Sequence, residues 1–224
     1  MISDLFIITS VINTGNKPWS YTSLRSCFSI EERFNQTLHT IKSIRDLNDN
    51  SKILLVECSD INDNMTNLLK EKVDYFIQTY NNPDVHDACL QSNKKGYGEV
   101  QKVKIVCDYI IDNNIVFNRL FKISGRYYLN SSFDKSNYNT TSFTFKFFGS
   151  RNGSTVLYSL PYSLFSEYRN KINEIIYFYK TNPPTGLETL LPNICNPVSK
   201  ISTLGVSGYV AILNDNGSYE FYTA

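Results

Sequence analysis

No apolar run in the sequence approaches the roughly 20 residues that a membrane-spanning helix needs. The first residues, Met1 to Ile8, carry an acid where a secretion signal would carry a base. The expectation is a soluble, cytoplasmic protein without a signal peptide. Charge of one sign is lacking too. A net charge of +1 with 19% charged residues leaves no basic face for nucleic acid. Histidine is scarce: His39 and His86 stand far apart, and His39 beside a helical stripe reads as structural or solvated. The cysteines Cys27, Cys58, Cys89, Cys107 and Cys195 include no Cys-x-x-Cys pair. Zinc-finger spacing is therefore excluded, and the odd number fits free thiols in a reducing compartment. Glycine-rich phosphate loops are missing as well. Neither Gly-x-Gly-x-x-Gly nor the Walker lysine motif occurs.

What is present fits one α/β domain spanning 1–224. Leu5–Ile12 and Lys52–Cys58 are short apolar runs suited to strands buried on both faces, and Val73–Gln78 reads as a third strand. Ser29-Ile30-Glu31-Glu32 is a capping box, followed by Phe34, Leu38, Ile41 and Ile44 at helical spacing. Asn64–Lys72 predicts a short helix. Asn93–Gly98 reads as a glycine loop leading into a helix over Glu99–Asp112, and Leu120–Ile123 as a fourth strand. This alternation implies right-handed crossovers and a mainly parallel sheet flanked by helices. The second half differs. Ser142–Phe148 and Thr155–Leu160 predict a hairpin, Leu164–Tyr179 a helix, Gly186–Leu191 a short helix and Gly205–Leu213 a last strand.

The 16 tyrosines admit two readings. They could form a stacking surface for sugars or bases, or reflect a composition rich in Asn, Ile and Lys; the second is favoured.

The chemistry is expected where the strands end. Thr9-Ser10, Glu57-Cys58-Ser59, Gln78-Thr79-Tyr80 and Ser124-Gly125-Arg126 place small or polar groups at one sheet edge. In open α/β sheets that edge is the ligand crevice. Arg25, Lys94, Lys95 and Arg126 supply enough cations for a diphosphate. Glu188, after Pro183-Pro184-Thr185-Gly186, is a carboxylate at the first turn of a short helix. It can serve as general base, or simply favour a helix N-terminus.

The run Tyr21–Thr37 with Thr40–Arg45, the Lys94–Glu99 segment and Lys122–Tyr127 are similar to the front of small glycosyltransferase domains of the GT-A type. One such domain helps to build the capsid glycan of a chlorella virus. The resemblance covers residues 5–130 well and the remainder loosely. It implies a GT-A-like fold with a nucleotide-sugar-binding half, 1–130, and an acceptor-side half, 131–224. It also implies a nucleoside-diphosphate donor, usually uridine, and a glycan or other hydroxyl acceptor. On that resemblance Thr9, Ser10, Val11, Glu57, Ser59 and Asp60 would meet base and ribose, and Arg25, Lys95 and Arg126 the diphosphate. The sequence departs from the family at one point. The Asp-x-Asp that holds Mn or Mg is absent, and Ser124-Gly125-Arg126 stands in its place. Either the metal is held elsewhere, with Asp60, Asp63, Asp84 and Asp87 available, or Arg126 replaces it. A non-catalytic nucleotide-sugar- or glycan-binding module of the same fold is the alternative reading.

Overall fold

The computed structural model describes residues 2–19, 22–183, 185–211, 218 and 220–224. The apolar runs form strands β1 (Leu5–Ser10), β2 (Lys52–Glu57), β3 (Tyr75–Gln78) and β4 (Arg119–Ser124), paired in parallel in the order β3-β2-β1-β4. Helices cross between them: α1 (Ile30–Arg45), α2 (Asp63–Lys72), the single turn α3 (Pro83–His86) and α4 (Lys95–Asp112). The capping box forms as expected, with Ser29 accepting from the Glu32 amide and Glu32 from the Ser29 amide.

After β4 the chain turns through Gly125 and Arg126 into β5 (Tyr127–Leu129). β6 (Phe143–Phe148), β7 (Asn152–Gly153) and β8 (Leu157–Pro161) follow, with β8 and β6 extending the large sheet in antiparallel fashion. Then come α5 (Phe165–Thr181), α6 (Leu187–Ile194), β9 (Val198–Ile201), β10 (Val206–Tyr209) and β11 (Phe221–Thr223). β9 adds in parallel to β6. β11, β10 and β5 make a separate three-stranded antiparallel sheet. The expected last strand over Gly205–Leu213 forms at Val206–Tyr209; Ile212 and Leu213 lie outside the described residues, as do Tyr21 and Pro184.

Two apolar clusters pack on opposite faces of the large sheet. One joins Leu5, Leu54, Val103, Tyr168, Ile172 and Leu191. It thereby ties α4, α5 and α6 to one face and both halves of the chain to each other. The other joins Phe6, Ile41, Leu55, Phe121, Tyr138 and Val206, under α1.

The expected glycine loop Asn93–Gly98 is corrected: α4 already starts at Lys95, so Gly96 and Gly98 lie in its first turns. The reason is close packing. A Cβ on Gly98 would lie 2.9 Å from the Ala88 carbonyl oxygen and from Cys89 Cα, so only glycine lets α4 lie on the turn at Asp87–Gln91.

Candidate functional site

Because β1 and β4 are adjacent and parallel, Ser10 and Ser124 finish on the same edge of the sheet. The main chain there is pinned from several sides. The Gly125 amide donates to Thr9 O (3.0 Å), and Thr37 Oγ1 of α1 donates to Gly125 O (3.2 Å). A Cβ on Gly125 would come within 3.3 Å of Ile8, Ser10 and Thr37, so a side chain there would have to press these groups back by a few tenths of an ångström where the turn crosses β1. Arg126 is thereby presented at the rim. Its guanidinium lies 5.3 Å from the Tyr127 ring, and Nη1 donates to Tyr209 O at 3.3 Å.

Next to this turn lies a cavity of about 110 Å³, and Thr9, Ser10, Val11, Arg25, Lys95 and Arg126 all line it. These were expected from the sequence and are brought together. Arg25 is buried and stacks on Trp19, 3.9 Å from the ring centroid. It also donates to the carbonyls of Lys17, Cys89 and Ser92. It therefore fastens the wall of the cavity as well as facing it.

Glu57, Ser59 and Asp60 do not line the cavity. Glu57 is fully buried, and its Oε1 accepts from the amides of Ile12 (3.1 Å) and Ser59 (2.8 Å) and from Ser59 Oγ (2.5 Å). Ser59 Oγ in turn accepts from the Asn13 amide at 2.8 Å. Together they buckle the segment leaving β1. Asp60 is exposed, as are Asp63, Asp84 and Asp87.

Four charged residues not singled out in the sequence complete the site. Arg33 from α1 is buried and donates to Val11 O (2.6 Å) and Ser26 Oγ (3.2 Å). Burial, reinforced by Arg126, pushes it down to about 9. Lys102 Nζ donates to Ser10 O at 3.3 Å. Glu99, three residues before it on α4, forms an ion pair with Lys122, which rises from the middle of β4. Lys122 Nζ also donates to Thr155 O (2.8 Å) and Ser124 Oγ (3.2 Å). The signal for Lys122 was present: a lysine inside an apolar strand is buried at a cost unless paired. Arg33 and Lys102 gave a weaker signal, as cations neighbouring the buried stripes of two helices.

Glu188 sits in the first turn of α6, where its Oε1 accepts from Thr155 Oγ1 at 3.2 Å. It lines a second cavity of about 330 Å³ with Tyr179 and Thr185. Lys95 and Glu99 line both cavities, so the carboxylate of α6 and the cations of the sheet edge face adjoining spaces. Lys95 is open to solvent there. The surrounding protein, with Arg126, nevertheless pushes its ammonium below the ordinary lysine value. Among the described residues no group of three or more His, Cys, Asp and Glu side chains is placed to hold a metal ion. Nor is any helix among them long and apolar enough to cross a membrane.

No protein-family model matches the sequence, and no curated protein sequence matches it. Solved structures do resemble the fold. The galactosyltransferase LgtC, in complex with donor and acceptor sugar analogues, superposes with a TM-score of 0.55 at 10% identity, over 88% of this chain and 72% of that one. The glycosyltransferase GlyE of Streptococcus pneumoniae TIGR4 gives 0.50 at 11% identity, over 90% of this chain but only 45% of its own length. A glycosyltransferase involved in glycosylation of the major capsid of PBCV-1 gives 0.43 at 8% identity, over 89% of this chain and 82% of that one. The chain thus has a GT-A-like fold, shared with glycosyltransferases at low identity.

Proposed function

We propose that this protein is a glycosyltransferase that moves a sugar from a nucleoside diphosphate, with uridine as the base, to a hydroxyl of a glycan or other acceptor. The observation that carries this reading is the cationic cavity at the carboxyl edge of β1 and β4, adjoining the space lined by Glu188. Thr9, Ser10 and Val11 present the strand end to base and ribose. Arg126 and Lys95 face the diphosphate, whose departing charge they neutralise. In an inverting reaction Glu188 takes the proton of the acceptor hydroxyl as its oxygen bonds to the anomeric carbon. The bond from that carbon to the diphosphate oxygen breaks, and its electron pair leaves with the diphosphate. The halves 1–130 and 131–224 divide donor from acceptor on this reading.

The residues at the customary metal position do not fit a divalent cation. Magnesium and manganese take oxygen ligands, carboxylates foremost, whereas the turn after β4 offers a guanidinium, with ammonium groups nearby. Among the described residues the cavity wall carries one carboxylate, Glu99, and it is paired with Lys122. No step is therefore routed through a metal.

Turnover of a panel of labelled nucleotide-sugars separates this reading from a module that only binds. Release of free sugar or transfer to a glycan is expected; binding without either would leave the module reading. Uridine diphosphate should raise the melting temperature by mass action. The adenosine and guanosine diphosphates should do so much less, and equal shifts from all three would remove the uridine assignment. Arg126→Ala should weaken donor binding by about 1.5–3 kcal/mol, the range for a hydrogen bond to a charged group. Lys95→Ala should weaken it less, because a single flexible ammonium is a less organised contact. Titration calorimetry on variants with unchanged circular dichroism reads both, and an unaltered Arg126→Ala affinity would reduce that residue to a surface cation.

A further inference from the structure

Two cations reach the end of β1 from opposite faces of the large sheet. Arg33 comes from α1, which covers one face, and Lys102 from α4, which covers the other. Each is moored on the main chain leaving β1, at two consecutive carbonyls: Lys102 on Ser10 O and Arg33 on Val11 O. Both line the 110 Å³ cavity.

Both are also buried, at 7% and 6% exposure. A buried cation is ordinarily matched by a carboxylate. Here Arg33 and Lys102 meet neutral partners, the two carbonyls and the Ser26 hydroxyl. A carbonyl satisfies the donor and leaves the charge uncancelled. The same holds around the wall. Arg25, Arg33, Lys95, Lys102 and Arg126 all line the cavity, and among the described residues none of the five forms an ion pair. Of the acids that act on Arg33 and Lys102, Glu99 is engaged by Lys122 and Glu57 stands off the cavity wall. Burial first, and then the charge of Arg126, lowers both Arg33 and Lys95 from their ordinary values. These cations repel one another, and an anion between them relieves that repulsion.

We propose that Arg33 and Lys102 are anion-binding residues, which make the cavity select its ligand by negative charge and hold a diphosphate group without a divalent cation. Their carbonyl bonds need not break for this. A charge fixed in a low-dielectric wall acts on an anion across several ångströms. Two such cations supply, from inside the protein, the charge that one divalent ion would bring. The proposal deepens the donor reading of the same cavity and rests on it for the place of the diphosphate; the nucleoside has no part in it.

Titration calorimetry on the intact protein in metal-stripped buffer tests it, with inorganic pyrophosphate, phosphate and uridine diphosphate at about 50 and 300 mM sodium chloride. Pyrophosphate should bind, more tightly than phosphate and more weakly at high salt. Lys102→Met and Arg33→Met should each weaken pyrophosphate and uridine diphosphate about tenfold, the effect of one nearby charge in a partly screened site. Both should also flatten the salt dependence, which a carbonyl mooring without a charge role would leave unchanged. The two substitutions lie on different helices, so a variant that circular dichroism shows to be misfolded leaves the other to decide. The proposal falls if the wild-type protein ignores pyrophosphate without metal or binds phosphate as tightly. It falls equally if the folded variants keep their affinity, or lose it with the salt dependence intact. Uridine diphosphate binding that both variants leave untouched would keep the donor reading and remove this one. Pyrophosphate binding that the variants weaken, in a protein that ignores uridine diphosphate, would keep the charge pair and remove the donor reading.

Discussion

Lys122→Met should cost about 3–5 kcal/mol of stability, the usual cost of removing one partner of a buried ion pair. Lys122 is fully buried, and its ammonium serves three acceptors: Glu99, Thr155 O and Ser124 Oγ. Methionine matches its length and leaves all three without that donor. The wild-type pair is itself finely balanced. Burial lowers Lys122 below the ordinary lysine value in spite of Glu99. Burial would raise Glu99, but Lys122 prevails and holds it below the ordinary carboxylate value. Glu99 thus contributes stability above its unfolded pKa, and that contribution fades as pH falls through its lower folded value. Urea denaturation of the single variant and of Lys122→Met/Glu99→Gln is the measurement. The double variant should recover part of the loss, since it removes the orphaned charge. A single-variant loss under about 1 kcal/mol, a typical value for exposed pairs, would show that the pair is already solvated.

Glu188→Gln should lower kcat by about 10²–10⁴, the range for a general base, with donor affinity unchanged. The amide keeps an acceptor for the Thr155 hydroxyl that holds this side chain now, so position is conserved while proton uptake is lost. Steady-state kinetics with the donor identified by turnover gives the split between kcat and KM. A variant with nearly native kcat would free Glu188 from the role. Glu99, which faces both cavities, would then be the next carboxylate to substitute, and a retaining course without such a base would gain ground.

The parallel front of the fold was legible because each strand is a local apolar run, and α1 announces its start with a capping box. Elements defined by distant partners were not. β5 is only Tyr127–Leu129 and pairs with Val206–Gly208; β9 pairs with β6 across more than fifty residues. Nothing local to these short segments marks them as strands. The start of α4 was hidden by a conflict between local and tertiary demands. Gly96 and Gly98 read as a breaker, yet packing on Cys89 needs the second of them inside the helix. Arg126 stood out because the sequence breaks at Ser124-Gly125. Arg33 and Lys102 lie beside apolar helical positions, and only the fold reveals that their side chains turn back to carbonyls at the end of β1.

The connection between β4 and β5 has a consequence for binding. Gly125 and Arg126 alone separate a strand of the large sheet from a strand of the small one. Both carbonyls flanking Arg126 are held from α1, that of Gly125 by Thr37 and that of Tyr127 by Thr40. The backbone at Arg126 has no slack, so its conformational entropy is surrendered when the chain folds and not when a ligand arrives. A charge carried on a long loop would forfeit that freedom at each encounter.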